Sequence, residues 1–408
     1  MGIPTRGPET VRHKVNPEEK KVLGVTTASH GLVHLYEGVL PPLIPLLITA
    51  FDTDYFHLGL VVTIFSYAFG LGSLPAGLLA DRLGPRRLVT SYLFGSGLAA
   101  VFIFSADSFF AYAVLMGVLG LFCSSYHPAS NTLISHTVRE KGQAFGLHGI
   151  AGSIGVALAP VLSAWMGAAA GWKTPHVVFG ILGIGVAFYS LSLRKIGSPV
   201  AAPHSPATRK NSDPARPGGL PYLKLTIFFF SAMAMGLSYK GIMTFLPTYM
   251  GKNVHISFMG LDAVAIGGAV ATLALLSGAL GQYISGRLVD RYQPEKIYLF
   301  AVLTGTLFVL LMAVSTNLIL VLSSMLYALV YFSTQPTQNF LLSKYTPRDK
   351  QGLIYGLHFF ITFGIGSTSA AVSGYVADIL GLRAIFYAMA GCFALATLFC
   401  LYLVRRSG

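Results

Sequence analysis

GLLADRLGPRR, residues 77–87, comes back in degraded form as GRLVDRYQPEK, residues 286–296, about half a chain length further on. In each copy an Asp-Arg pair, Asp81-Arg82 or Asp290-Arg291, closes an apolar run long enough for a helix, and a Pro follows. Met once, such a turn is an ordinary solvated loop. Here the flanking sequence repeats in the same register, so the turn marks two copies of one unit. HPASNTLIS from His127 matches QPTQNFLLS from Gln335, with Pro128 over Pro336 and Asn131 over Asn339. Downstream, GQAFGLH from Gly142 matches GLIYGLH from Gly352, which sets His148 against His358. The first apolar runs of the two copies align Tyr36-Glu37-Gly38 with Tyr239-Lys240-Gly241.

Composition says where such a duplicated unit resides. Of the 408 residues 54% are hydrophobic and 11% charged, too few charges to cover a soluble protein of this size. Apolar runs long enough to cross about 30 Å of hydrocarbon at roughly 1.5 Å per residue fall near 22–50, 57–80, 88–106, 109–136, 143–168 and 175–193. Six more lie near 223–250, 262–285, 296–315, 317–343, 351–379 and 382–404. The pattern predicts an all-α membrane protein of 12 transmembrane helices, built as two parallel six-helix repeats around a central cavity. Its expected parts are a polar tail at 1–21, bundles at 22–193 and 223–404, a Pro-, Ser- and Arg-rich linker at 194–222, and a short tail at 405–408.

All of the 28 Lys and Arg except Lys173, Lys240, Lys252 and Arg383 fall on the side that holds both termini and the even-numbered connections. The positive-inside rule makes that side cytoplasmic, in a cell (inner) membrane. The net charge of +13 therefore reports topology and gives no reason to expect a nucleic-acid partner. Residues 1–21 lack a small-residue cleavage site, so the first apolar run reads as a retained span. Cys123, Cys392 and Cys400 all lie in predicted spans and read as small core residues.

Two six-helix repeats with a GxLaDRxGxRr-like loop after the second and eighth helices resemble the major facilitator superfamily over essentially the whole chain. Within it, HGLVHLYEGVLPPLIPLL from His30, SSYHPASNTLIS from Ser124 and GLHGIAGSIGVALAP from Gly146 resemble the fosmidomycin-resistance branch of proton-coupled efflux pumps. The resemblance implies alternating access and a cytoplasmic gate built from Gly77, Asp81, Arg82, Gly84, Arg86, Arg139, Asp290, Arg291 and Arg348. Asp81 would face the first amides of helix 11, where a carboxylate gains about 0.3–1 kcal/mol when exposed. Arg139 would be its counter-ion, with Asp290 and Arg348 as the symmetry mates beside helix 5. Small residues Ala151, Gly155, Ala159 and Ser163, around Pro160, approximate the glycine-proline motif of antiporters, and equally suit tight packing. Gly366, Ala370 and Gly374 form a similar stripe in helix 11. The Arg-containing helix-4 motif of many drug-proton antiporters is absent, Cys123 to Tyr126 standing near its place.

Charge inside a span costs at least about 2.5 to 3.5 kcal/mol and usually marks function. Glu37 and Lys240 sit at mid-span, and pseudo-symmetry sets them face to face across the cavity. They read either as a structural ion pair or as a coupling site in which Glu37 carries a proton while substrate competes for one of the charges. His30, His34 and Glu37 fall at i, i+4 and i+7 on one helix face, a spacing that suits a cavity wall and also a metal held by these three. The expected substrate contacts are His30, His34, Glu37, His127, Asn131, Tyr239, Lys240, Gln335, Gln338 and Asn339. His34, His148 and His358 join Glu37 as proton-coupling candidates, the last two serving either as relays or as polar contacts between the halves.

No GxxxxGK[ST] loop and no nucleophile constellation occurs, so neither ATP-driven transport nor an enzyme is expected, and no cofactor. The expected function is proton-coupled efflux of a small organic, anionic compound by a monomer whose partners are that substrate, protons and the bilayer. Uptake or exchange of a metabolite or metal chelate is the alternative; a non-transporting sensor is a third.

Overall fold

The computed structural model describes residues 16–139, 141–193, 222–255, 262–289, 291–346, 354 and 357–406, without the side chains of 78, 81, 141–143 and 146. The Asp81 carboxylate, Asp290, Arg348, the linker and the N-terminal residues 1–15 thus lie outside the description. Among the described residues there are 12 helices long and apolar enough to cross a membrane. They are α1 Pro17–Phe51, α2 Tyr55–Leu83, α3 Pro85–Ser105, α4 Phe109–Thr137, α5 Lys141–Ala170 and α6 Lys173–Leu191. The second set is α7 Tyr222–Asn253, α8 Ala263–Leu288, α9 Pro294–Val314, α10 Asn317–Tyr345, α11 Leu357–Leu380 and α12 Leu382–Arg405.

Helix is the form that satisfies every backbone group without water, so the length of each run sets its span. Packing repeats between the sets. The α1–α5, α2–α4, α3–α4 and α3–α6 contacts of the first half return as α7–α11, α8–α10, α9–α10 and α9–α12 in the second. Among the described residues two main seams join the halves, α2 on α11 and α5 on α8, which are each other's symmetry mates, and α1 also meets α7 between them. The large side chains left exposed, among them Leu74, Phe104, Phe110, Trp165, Ile181 and Phe188, lie on these apolar helices as lipid-facing residues do.

Helix α1 starts at Pro17, earlier than the apolar run suggests. Asn16 accepts from the Glu19 N–H at 2.8 Å and Glu19 accepts from the Asn16 N–H at 2.9 Å, a capping box that carries helix into a charged segment. Two breaks matter for the interior. Pro41, Pro42 and Pro45 turn α1 through a 3-10 turn at Pro41–Leu43, and α4 breaks at Ser125, so that Tyr126 and His127 open its second segment. The first Asp-Arg loop turns on Gly84, whose φ of +86° favours glycine. In the second copy Gln293 replaces it, and there α8 stops at Leu288, well short of Pro294.

The two ends of the molecule differ. At the end away from the termini the seams are tight. A side chain at Gly59 of α2 would collide with the Ala370 carbonyl of α11, one at Gly374 with that of Tyr55, and one at Gly268 of α8 would sit 2.6 Å from the Pro160 carbonyl of α5. The Asp378 carboxylate on α11 accepts from the first two amides of α2, Tyr55 at 3.0 Å and Phe56 at 2.8 Å. Lys252 donates to the Tyr55 hydroxyl at 2.8 Å. Asp54 caps α2 through the His57 N–H at 2.8 Å. Burial pushes the Asp54 carboxyl up, but the His57 amide and ring outweigh it and hold the group below its ordinary range. At the end that carries the termini and the Asp-Arg loops, a side chain at Gly70, Gly77, Gly149 or Gly286, on three of the same four helices, would meet nothing described within 4 Å. Among the described residues, one end is tightly closed and the other carries no such contacts at these glycines.

Candidate functional site

Between the closed end and the open end lies a cavity lined by both halves. Its wall includes His34, Glu37 and Pro41 of α1, Val62 of α2, Pro160 of α5, Tyr239, Lys240 and Thr244 of α7 and Leu275 of α8. About 80 Å³ is open to the centres of water-sized molecules, room for several waters. Lys240 donates to Glu37 Oε1 at 2.9 Å across the halves, and His34 Nδ1 stands 3.1 Å from Glu37 Oε2. Lys240 is 8% exposed and Glu37 22%. At that depth the pair is held by mutual neutralisation, since removing either partner of a buried pair costs about 3–5 kcal/mol.

Local sequence explains the placement. The proline-induced turn begins four residues after Glu37, so Glu37 occupies the last turn before α1 bends. Small residues bring α1 and α5 close: a side chain at Gly38 would sit 2.6 Å from Ala159 Cβ, and one at Gly155 would sit 2.5 Å from the Gly31 carbonyl. The small-residue stripe of α5 thus packs its own half. The stripe of α11 is divided, Gly366 lying against Gly236 of α7 while Ala370 and Gly374 lie on α2. Three tyrosine hydroxyls pin α1, Tyr92 to the Ser29 carbonyl at 3.1 Å, Tyr126 to that of Thr26 at 2.8 Å, and Tyr36 to that of Phe179 at 3.0 Å.

The histidines collect behind and beside His34, the one among them that lines the cavity. His30 stacks on His148 with ring centroids 4.1 Å apart, and its Nδ1 is 2.6 Å from the His148 carbonyl oxygen. His34 Nε2 faces His30 Nε2 at 3.3 Å. His127 sits edge-on to His30 at 5.3 Å between centroids and 5.9 Å from His34. Tyr239, which lines the cavity from the second half, stacks on Tyr331 at 4.9 Å.

Other expected contacts fall elsewhere. Gln338 donates to the Tyr298 hydroxyl at 2.9 Å inside the second half and is 7% exposed, so it packs α10 on α9 and does not face the cavity. Gln335 accepts from Gln282 of α8 at 2.5 Å, and with Asn131 and Asn339 it is exposed. His148 and His358 do not meet. His148 packs on His30, and His358 lies 5.7 Å from the Phe228 ring of α7, each within its own half. Of the expected gate, Arg86 donates to the Leu191 carbonyl at 2.9 Å, the Arg139 amide donates to Glu19 Oε1 at 3.0 Å, and Arg82 and Arg291 are exposed. These bonds stay within the first half. Tyr92, Tyr126 and Asp378 were not among the expected site residues, and nothing in the sequence around them points to their hydrogen bonds.

A model of the family described as Major Facilitator Superfamily matches residues 26–371. The chain belongs to the Major Facilitator Superfamily. Within the superfamily it is similar to the "Probable L-galactonate transporter" of Escherichia coli (strain K12), 24% identical over 57% of this chain and 53% of that protein. It is also similar to the "Multidrug resistance protein MdtG" of Klebsiella pneumoniae (strain 342), 28% identical over 45% of this chain and 44% of that protein. The chain spans about half the length of these relatives. Its fold superposes on a bacterial homolog to the human lysosomal transporter Spinster, solved in an inward-facing and occupied conformation, with a TM-score of 0.77 and 16% identity over 96% of this chain and 98% of that one.

Proposed function

We propose that this protein is a secondary active transporter that couples the movement of a small organic anion to protons by alternating access. The observation that carries the reading is the Lys240–Glu37 bond of 2.9 Å, which joins the two halves inside the cavity. An anion entering the cavity competes with Glu37 for Lys240. The Glu37 carboxylate, left without its cation in a half-buried setting, then takes a proton in preference to staying charged. Proton and anion thereby load together through one charged pair, which favours their movement in the same direction. The relatives named for L-galactonate and for multidrug resistance bracket the substrate: a carboxylate matches Lys240, and the Tyr239–Tyr331 stack suits an apolar or ring-bearing body.

With both termini in the cytoplasm, as the distribution of Lys and Arg favours, the open end faces inward and the tight seams close the outside. In proteoliposomes with an imposed pH gradient, Glu37→Gln abolishes proton-driven flux of a transported anion while leaving anion exchange measurable. Normal proton coupling in that variant refutes the assignment. Loading together favours uptake of the anion with protons; export in exchange for protons, the expectation from the sequence, is the second reading, and the direction of flux under the same gradient separates the two.

A further inference from the structure

We propose that His30, His34 and His127 form a binding site for a divalent first-row transition metal ion of the zinc class, which meets the cavity at His34, beside the Glu37–Lys240 pair. The site stands whether or not Glu37 carries the coupling proton. Its basis is where the imidazole protons must be. His30 Nδ1 is 2.6 Å from the His148 carbonyl oxygen, which only accepts, so that nitrogen carries its proton. His34 Nδ1 is 3.1 Å from Glu37 Oε2, an oxygen of a carboxylate that also accepts from Lys240, so it too is protonated. In the neutral rings both Nε2 atoms are then bare lone pairs, and they face each other at 3.3 Å. Two acceptors cannot satisfy one another; a cation belongs between them.

Geometry distinguishes a metal from a shared proton. Two imidazole nitrogens bound at about 2.0–2.1 Å to a tetrahedral zinc ion lie about 3.3 Å from each other, the spacing found between the two Nε2 atoms. A third imidazole completes the set. One ring nitrogen each of His30, His34 and His127 lies within 4.8 Å of the other two. A proton held by two rings gives no reason for a third. The donor set of three neutral imidazoles suits zinc, cobalt, nickel or copper and is wrong for magnesium or calcium. Three protein ligands leave a fourth position for water or an anionic ligand.

Glu37, expected from spacing to be a ligand, takes another role. Both of its oxygens are engaged, with Lys240 and with His34 Nδ1, so it orients His34 as the outer carboxylate of a carboxylate–histidine–metal arrangement. His30 and His34 come from α1 and His127 from α4, all in the first half, so relative movement of the halves leaves the ligand set intact.

The test uses untagged, full-length protein, stripped with a chelator and titrated with Zn²⁺ by calorimetry and with Co²⁺ by visible absorption. One Zn²⁺ per chain and the intense d–d bands of tetrahedral Co²⁺ are expected. His30→Gln, His34→Gln and His127→Gln should each weaken Zn²⁺ binding by at least about 100-fold. Glu37→Gln, acting on the outer shell, should weaken it by about 10- to 100-fold with the stoichiometry kept. Asn131→Ala, one turn from His127, should bind as wild type, and melting of the metal-free histidine variants at the wild-type temperature confirms their folding; Glu37→Gln, which leaves Lys240 unpaired, should melt lower and is read by its stoichiometry. Absence of Zn²⁺ binding, binding unchanged in the three histidine variants, or Mg²⁺ binding as well as Zn²⁺ overturns the proposal. Loss of metal binding with proton-driven flux intact, or the reverse, tells this proposal apart from the transport reading.

Discussion

Replacing Asp378 with Asn should unseal the closed end. Its carboxylate accepts from the Tyr55 and Phe56 amides at 3.0 and 2.8 Å, across the α2–α11 seam. A buried charge-assisted hydrogen bond contributes about 1.5–3 kcal/mol, but these two bonds are exposed and water can replace the lost acceptor. The helix-terminus attraction adds about 0.3–1 kcal/mol. Asn keeps one acceptor oxygen and loses the charge, so the net cost to the closed arrangement is about 1–2 kcal/mol, a factor of about 5–30 in its population relative to the opened one. The readout is Ala371→Cys, at the α2–α11 seam, in a background where Cys123, Cys392 and Cys400 are replaced. Ala371 is 8% exposed, so its labelling by a membrane-impermeant maleimide follows the fraction of molecules open at that end. Labelling should quicken by about 5- to 30-fold when Asp378→Asn is added. An unchanged rate refutes the role given to this carboxylate.

Gly59→Leu places a side chain against the Ala370 carbonyl, and should quicken the same labelling at least as much by wedging α2 from α11. Lys240→Met leaves Glu37 without its cation and should cost up to about 3–5 kcal/mol in thermal stability, less where Glu37 takes a proton, whereas Glu37→Gln with Lys240→Met should recover most of it; a double variant as unstable as Lys240→Met denies the pair its mutual neutralisation. Tyr126→Phe removes the 2.8 Å bond to the Thr26 carbonyl and should lower stability by about 0.5–1.5 kcal/mol, measured by melting in detergent. Asp54→Ala should cost about 1 kcal/mol as a lost helix cap. Because the folded Asp54 carboxyl titrates below its ordinary value, its contribution is present above the unfolded pKa and disappears only as pH falls through the lower folded one; melting scans across acid pH should show the wild type and Asp54→Ala converging only there.

The fold was legible because membrane crossing imposes a length on each apolar run and because the duplication supplied a second copy against which to check each register. Glu37 and Lys240 were legible for the same reason: the duplication aligns them, and charge at mid-span is costly. What stayed hidden was anything without a mate in the repeat. The register that pairs His358 with His148 sets Asp378 opposite Ala168, so the outer clasp left no trace in the internal alignment. His127 stands on a different helix from His30 and His34, and spacing along one helix could offer only Glu37 as the third member of their group. Gln338 misled because helical periodicity gives the faces of α10 but not which of them meets α9. The early start of α1 was written in Asn16, Pro17 and Glu19, yet their polarity resembled a tail more than a helix.

The Glu37–Lys240 pair also bears on how the molecule responds to voltage. An elementary charge moved through the whole of a 100 mV membrane potential exchanges about 2.3 kcal/mol with the field. A bonded carboxylate and ammonium 2.9 Å apart add up to no net charge, so an empty binding site swings from one face of the membrane to the other without electrical work. A loaded site carries only the charge of its load: a proton with a monovalent anion again adds up to zero, so their joint passage is electrically silent too, and the potential is felt only where the load is itself charged, as with a divalent anion or a metal ion.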